Sequence, residues 1–152
     1  GVWLIESRAD WLKYCDRTDV LYVQEYLPID RDVRVVVVGD QVVTAYWRTQ
    51  SEQGFYNNVA RGGQIVTGDV PAAATDLALR LARELEVDHA GFDIALVEGY
   101  PYVLEFNRLF GNQGLGQGSD LKDAILDYLQ RQSRPQDPDG PTEPTPLWPV
   151  AV

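Results

Sequence analysis

Three oxygen-bearing side chains, Asp93, Glu105 and Asn107, stand on two short apolar stretches, Ala90–Leu96 and Tyr102–Asn107. Between the stretches lies Val97-Glu98-Gly99-Tyr100-Pro101, rich in turn residues. Two β-rich runs joined this way are a hairpin signal. Glu105 and Asn107 are two apart, so they project from one face of a strand. Folding the hairpin can bring Asp93 near both. Two carboxylates and an amide oxygen make an all-oxygen site suited to Mg²⁺ or Mn²⁺. Acidic residues on a strand face are otherwise solvated or paired with a base, and Asn at a strand end is a common turn former. Spacing alone leaves both readings open.

The elements that must position these residues can be read along the chain. Val2–Ile5 is expected to be a strand. Ser7 and Asp10 have capping-box spacing before a short helix, Ala9–Cys15, with Trp11, Leu12 and Cys15 towards the core. Val20–Tyr26 reads as a strong strand, ended by Pro28. Asp32–Val38 carries four successive valines and reads as a strand buried on both faces. Gly39-Asp40 turns it into Gln41–Thr49. Ser51–Gly63 is loop-like, and Gln64–Thr67 is a short strand. Pro71 opens an amphipathic helix, with Leu77, Leu81 and Leu85 at spacing four and Ala78 and Ala82 in support. Arg108–Gly118 is glycine-rich. Ser119 is expected to cap a last helix, with Leu121, Ile125, Tyr128 and Leu129 inward. Six of the nine prolines then fall within Arg134–Val152, which marks a disordered tail. The expected organisation is a domain over residues 1–132 and a Pro-rich tail over 133–152.

Bulk properties narrow the function. The 152 residues fit one domain, and the charge of −10 argues against nonspecific binding to nucleic acid or an anionic membrane. A nucleotide remains compatible, because a bound divalent cation reverses the local sign. No apolar run is long enough to cross a bilayer. One cysteine, Cys15, permits no internal disulfide and suggests a reducing cytoplasm. With His89 as the sole histidine, the usual zinc sites are excluded. The chain contains no methionine and opens on what reads as mid-strand, so a fragment of a longer protein is expected.

Five pieces follow one another in order: Glu25; Asp32-Val33-Arg34-Val35-Val36-Val37-Val38-Gly39; Tyr56-Asn57-Asn58-Val59-Ala60-Arg61-Gly62-Gly63; Ala90-Gly91-Phe92-Asp93; and Glu105-Phe106-Asn107. Together, over roughly Gly1–Leu129, they resemble the C-terminal part of an ATP-grasp ligase, specifically the RimK-like carboxylate–amine ligases. The resemblance implies an α+β fold, mainly an antiparallel sheet with helices packed on one face. Gln24, Glu25, Tyr26 and Leu27 would lie beside the adenine, Asp32 near the ribose, and Arg34, Asn57 and Asn58 near the phosphates. Arg48 and Arg61 would bind phosphate or the acyl-phosphate intermediate. Asp93, Glu105 and Asn107 would hold two Mg²⁺ ions, with Mn²⁺ a possible substitute.

The resemblance also has departures. Tyr56 stands where the family commonly has Arg, and Arg108–Asn112 replaces a common Ser-Pro-Gly run that faces the acceptor. The implied reaction is ADP-forming ligation of a small carboxylate to an amine, an amino acid or peptide, in the cytoplasm. ATP would be clamped from one side only, so the fragment alone is expected to be inactive. The rival reading is a non-catalytic nucleotide-binding or regulatory module. Donors, acceptors and oligomeric state are not specified by these residues.

Overall fold

The computed structural model of the chain describes residues 3–49, 64–110, 114 and 119–133. Its elements run α1 (Arg8–Cys15), β1 (Arg31–Val38), β2 (Gln41–Thr49), β3 (Ile65–Val66), α2 (Ala72–Glu84), β4 (His89–Val97), β5 (Tyr100–Asn107) and α3 (Ser119–Gln132). The five strands form one antiparallel sheet in the order β3-β2-β1-β4-β5.

Two tight turns set the register. Val38 faces Gln41, so Gly39-Asp40 is a two-residue loop, and Gly39 takes φ +58°. Val97 faces Tyr100 across Glu98-Gly99, both at positive φ (52° and 84°), as a type I′ turn requires. The β4–β5 hairpin expected from sequence therefore forms with its turn at that place.

β1 is central. Val35, Val36, Val37 and Val38 are all buried, so the valine run is covered on both faces as expected. Val33, Val35 and Val37 join Trp47, Ala90, Phe92 and Ile94 in a core closed by Ala74, Ala78 and Ala82 of α2. These alanines recur every four residues and bring the helix axis close to the sheet. The expected leucine stripe is displaced from that line: Leu77 and Leu81 are half-buried and Leu85 is exposed. Beyond α2, Glu86 adopts φ +53° while its N–H reaches Arg83 O and that of Val87 reaches Ala82 O, a Schellman ending that feeds β4. On α3, Leu121, Ile125 and Tyr128 are half-buried but Leu129 is exposed.

Three further expectations change. Trp3–Ile5 and Val20–Tyr26 form no strand. Leu21, Tyr22, Val23 and Tyr26 are exposed, so their apolar pattern has no face to bury against among the described residues. The Ser7 cap forms, its hydroxyl accepting from Asp10 N, but α1 buries no residue and Leu12 is exposed. Residue 2, the loop 51–63, most of 111–118, the Ser119 side chain and the tail from 134 lie outside the described residues.

Candidate phosphate and metal site

Side chains alternate between the two faces of a strand, so the valines of the core leave Asp32 and Arg34 on the opposite face of β1. Tyr46 and Arg48 share that face on β2. Cross-strand register then lines up Tyr46, Arg34, Asp93 and Glu105 as successive partners across β2, β1, β4 and β5. Asp32 and Arg48 are direct partners two residues along. A polar row thus crosses the sheet behind the apolar core.

The row is buried over three strands: Asp32, Arg34, Arg48 and Asp93 are each at most 8% exposed. Such charges persist only when paired and hydrogen-bonded. Arg48 donates Nε and one terminal nitrogen to the two Asp32 oxygens, both at 2.8 Å. That terminal nitrogen also lies 2.8 Å from Asp93 Oδ2. Arg34 clamps Asp93 from the other side, Nε to Oδ1 and a terminal nitrogen to Oδ2 at 3.0 Å. Burial works against the Arg48 charge, but the Asp32 hydrogen bonds and the Asp93 charge outweigh it and hold its pKa above the usual arginine value. The Tyr46 phenol is pushed up, chiefly by burial.

Glu105 completes the row on β5 and is exposed. Asn107 Nδ2 donates to Glu105 Oε1 at 3.1 Å. The amide nitrogen is thereby engaged, and Asn107 Oδ1 is the atom left to serve as a donor to a cation. Asp93, Glu105 and Asn107 therefore present carboxylate and amide oxygens on adjacent strands, a donor set that fits a hard divalent cation. Among the described residues no group of three or more His, Cys, Asp or Glu could hold a metal ion, so this donor set depends on the Asn107 amide oxygen beside its two carboxylates.

The chain after β5 returns over this row. A Cβ on Gly91 would meet Phe110 at 3.1 Å and Arg34 at 3.2 Å, so Phe110 and the Arg34 stem both cover that glycine. A Cβ on Gly114 would lie 2.1 Å from the Tyr46 ring, so only glycine permits the observed approach. His89, at the start of β4, lies with its ring centroid 5.0 Å from that of Phe110.

Of the residues expected from sequence, the structure joins Asp32, Arg34, Arg48, Asp93, Glu105 and Asn107 on one face. Gln24, Glu25, Tyr26 and Leu27 stand on the irregular segment before β1 and enter none of the row's ion pairs. Asn57, Asn58 and Arg61 lie outside the described residues. Tyr46 and Phe110 were not singled out from sequence. Tyr46 had a signal: it sits two residues before Arg48 on an expected strand, hence on the same face. Phe110 had none beyond its place after Asn107.

A family profile described as RimK-like ATP-grasp domain matches residues 3–129. The ribosomal protein bS6–L-glutamate ligase of Escherichia fergusonii is 34% identical over 120 residues, which cover 76% of this chain and 40% of that protein. The chain thus spans about 40% of the length of the curated relatives it matches. Among solved structures, the ATP-grasp ligase PsnB in complex with a minimal precursor, Mg and ADP aligns with TM-score 0.51 at 27% identity, over 67% of this chain and 34% of PsnB. The D-alanine–D-alanine ligase of Bacillus anthracis in complex with ATP aligns over 87% of this chain and 51% of its own, with TM-score 0.62 at 16% identity, a likeness of fold.

Proposed function

This chain belongs to the RimK-like ATP-grasp family, and from that we propose that the protein containing it is an ATP-dependent, ADP-forming carboxylate–amine ligase. ATP phosphorylates a carboxylate, an amine attacks the acyl phosphate, and an amide and phosphate result. The carboxylate and amine belong to amino acids or peptides, a reading supported by relatives named for L-glutamate and ribosomal protein bS6 and for a minimal precursor. The reaction is placed in the cytoplasm on the strength of the lone Cys15.

The observation that carries this reading is the direct pairing of Asp93 with Glu105, with Asn107 bonded to Glu105, beside two buried arginines. Such chemistry needs phosphates positioned and their charge neutralised rather than a side-chain nucleophile. Asp93, Glu105 and Asn107 are assigned to two Mg²⁺ ions, which would neutralise phosphate charge when bound. Arg34, Arg48 and Arg61, with Asn57 and Asn58, are assigned to phosphate oxygens. Asp32 is assigned to the ribose side, and Gln24–Leu27 to the adenine edge.

The test is a thermal-shift titration of the chain with Mg²⁺ and ADP, separately and together, repeated on Asp93→Ala and Glu105→Ala. Ligand that binds only the folded state raises the unfolding midpoint. The expected result is a rise of several degrees that needs both components and is lost in both variants. A rise of equal size in the variants would remove these residues from the site.

A further inference from the structure

Asp93 is held by two arginines at once. It accepts from Arg34 Nε at Oδ1, and from Arg34 and Arg48 at Oδ2. A carboxylate offers about four lone-pair directions in all. Three are therefore spoken for by guanidinium N–H groups, inside a face where Arg34, Arg48 and Asp93 are almost fully buried. Any cation using Asp93 as a ligand competes with those donors. Arg48 has a second acceptor in Asp32, on which it keeps a bidentate grip, so it can give up Asp93 without being stranded. Arg34 has no such alternative in these ion pairs: both of its bonds to the row end on Asp93. A guanidinium displaced from Asp93 leaves buried N–H groups that need a new acceptor. A phosphate oxygen beside the row meets that need with the planar, bidentate geometry arginine favours.

We propose that Arg34 is a competitive gate on Asp93: it holds the carboxylate against a lone divalent cation and yields it when a phosphate group arrives to accept the freed guanidinium. The proposal rests on the assignment of Asp93 to the metal site, and it adds a rule of order. Cation and nucleotide enter together because each relieves the cost the other creates. Arg48 keeps its bidentate hold on Asp32 throughout. By linkage the factor by which nucleotide tightens cation binding equals the factor by which cation tightens nucleotide binding.

Mn²⁺ serves as the probe, its free concentration read by electron paramagnetic resonance, with and without ADP, on the wild-type chain and on Arg34→Lys, Arg34→Gln and Asp93→Asn. Arg34→Lys keeps the positive charge but loses the two-pronged clamp, so it separates competition for lone pairs from a simple field effect. The expected result is that Mn²⁺ alone binds Arg34→Lys at least three-fold more tightly than wild type, while the tightening by ADP shrinks. Tighter Mn²⁺ binding in Arg34→Gln with no change in Arg34→Lys would overturn the gate, leaving only charge repulsion. Weaker Mn²⁺ binding in Arg34→Lys would overturn it too. If Arg34→Gln does not fold, the charge-conserving Lys variant decides alone. Undiminished Mn²⁺–ADP binding in Asp93→Asn would instead remove the metal-site assignment, and the gate with it.

Discussion

Arg48 and Asp32 face one another as direct cross-strand partners and share two 2.8 Å hydrogen bonds in a region closed to solvent. Breaking a buried pair by removing one partner costs up to roughly 3–5 kcal/mol where the other charge is left uncompensated, and Arg48 keeps its 2.8 Å contact with Asp93, so Asp32→Val should cost less than that. Replacing both with apolar residues is far less costly. Urea unfolding of Arg48→Met, Asp32→Val and the double variant should therefore show strong non-additivity, the double variant being more stable than the sum of the single effects implies. Additive losses would mean that the two side chains are energetically independent.

Gly114 and Tyr46 provide a second cycle. The Gly114 backbone lies so close to the Tyr46 ring that a methyl group cannot be placed without movement. Gly114→Ala should destabilise by about 1–3 kcal/mol through overpacking. Tyr46→Leu removes the ring and should relieve most of that increment. Denaturant midpoints for the four combinations give the coupling; equal cost of Gly114→Ala in both backgrounds would place the strain elsewhere.

The buried phenol also sets an alkaline limit. Burial raises the Tyr46 pKa in the folded chain, so the folded state keeps this proton at a pH where the unfolded state releases it. The unfolded value is about 10. The contribution is thus fully present below about pH 10 and is lost as pH rises from there through the folded value. Tyr128 shifts the same way, through its hydrogen bond to Asp88. Stability measured above about pH 10 should fall less steeply in Tyr46→Phe than in wild type. An identical slope would assign the alkaline loss to other groups.

Ala78 lies on the face of α2 that joins the core against the sheet and has no exposed surface. Ala78→Leu should cost about 1–3 kcal/mol by overpacking. Leu85→Ala, at an exposed site, should fall within about 0.5 kcal/mol of wild type. Thermal unfolding of the two variants checks the contrast, and the reverse ranking would restore the leucines as the helix's buried face.

The sheet was legible because its signals are local. The valine run, the Gly39 and Gly99 turns and the period-two placement of Glu105 and Asn107 each decide a conformation within a few residues. From these, Glu105 and Asn107 could be put on one strand face with Asp93 near them, whereas Asp32, Arg34 and Arg48 joined them only through the family resemblance; the strand register supplied the shared face. What failed depended on partners rather than on pattern. Val20–Tyr26 has strand composition, but a strand needs a neighbour to complete its ladder, and composition does not supply one. The leucines of α2 satisfied helical periodicity as well as the alanines did; the close approach of the sheet selected the smaller side chains. The ion pairs of Asp93 were not legible either. Sequence supplied a candidate ligand, whereas the register of β1 against β4 supplied Arg34 and that of β2 against β1 supplied Arg48.

The irregular stretch ahead of β1 has a practical side. Tyr22 and Val23 are 75% and 64% exposed, and the residues around them enter no ladder. Unpaired backbone carrying β-branched and aromatic side chains is the raw material of intermolecular strand pairing. It is also the kind of substrate a protease accepts, since cleavage requires a segment free to enter its groove. Among the described residues, scission in dilute solution should therefore fall before Arg31, ahead of the five strands. In concentrated solution the same residues should seed self-association. Whatever covers Val20–Tyr26 would suppress both behaviours at once, so susceptibility to digestion can report on coverage of this segment without any assay of turnover.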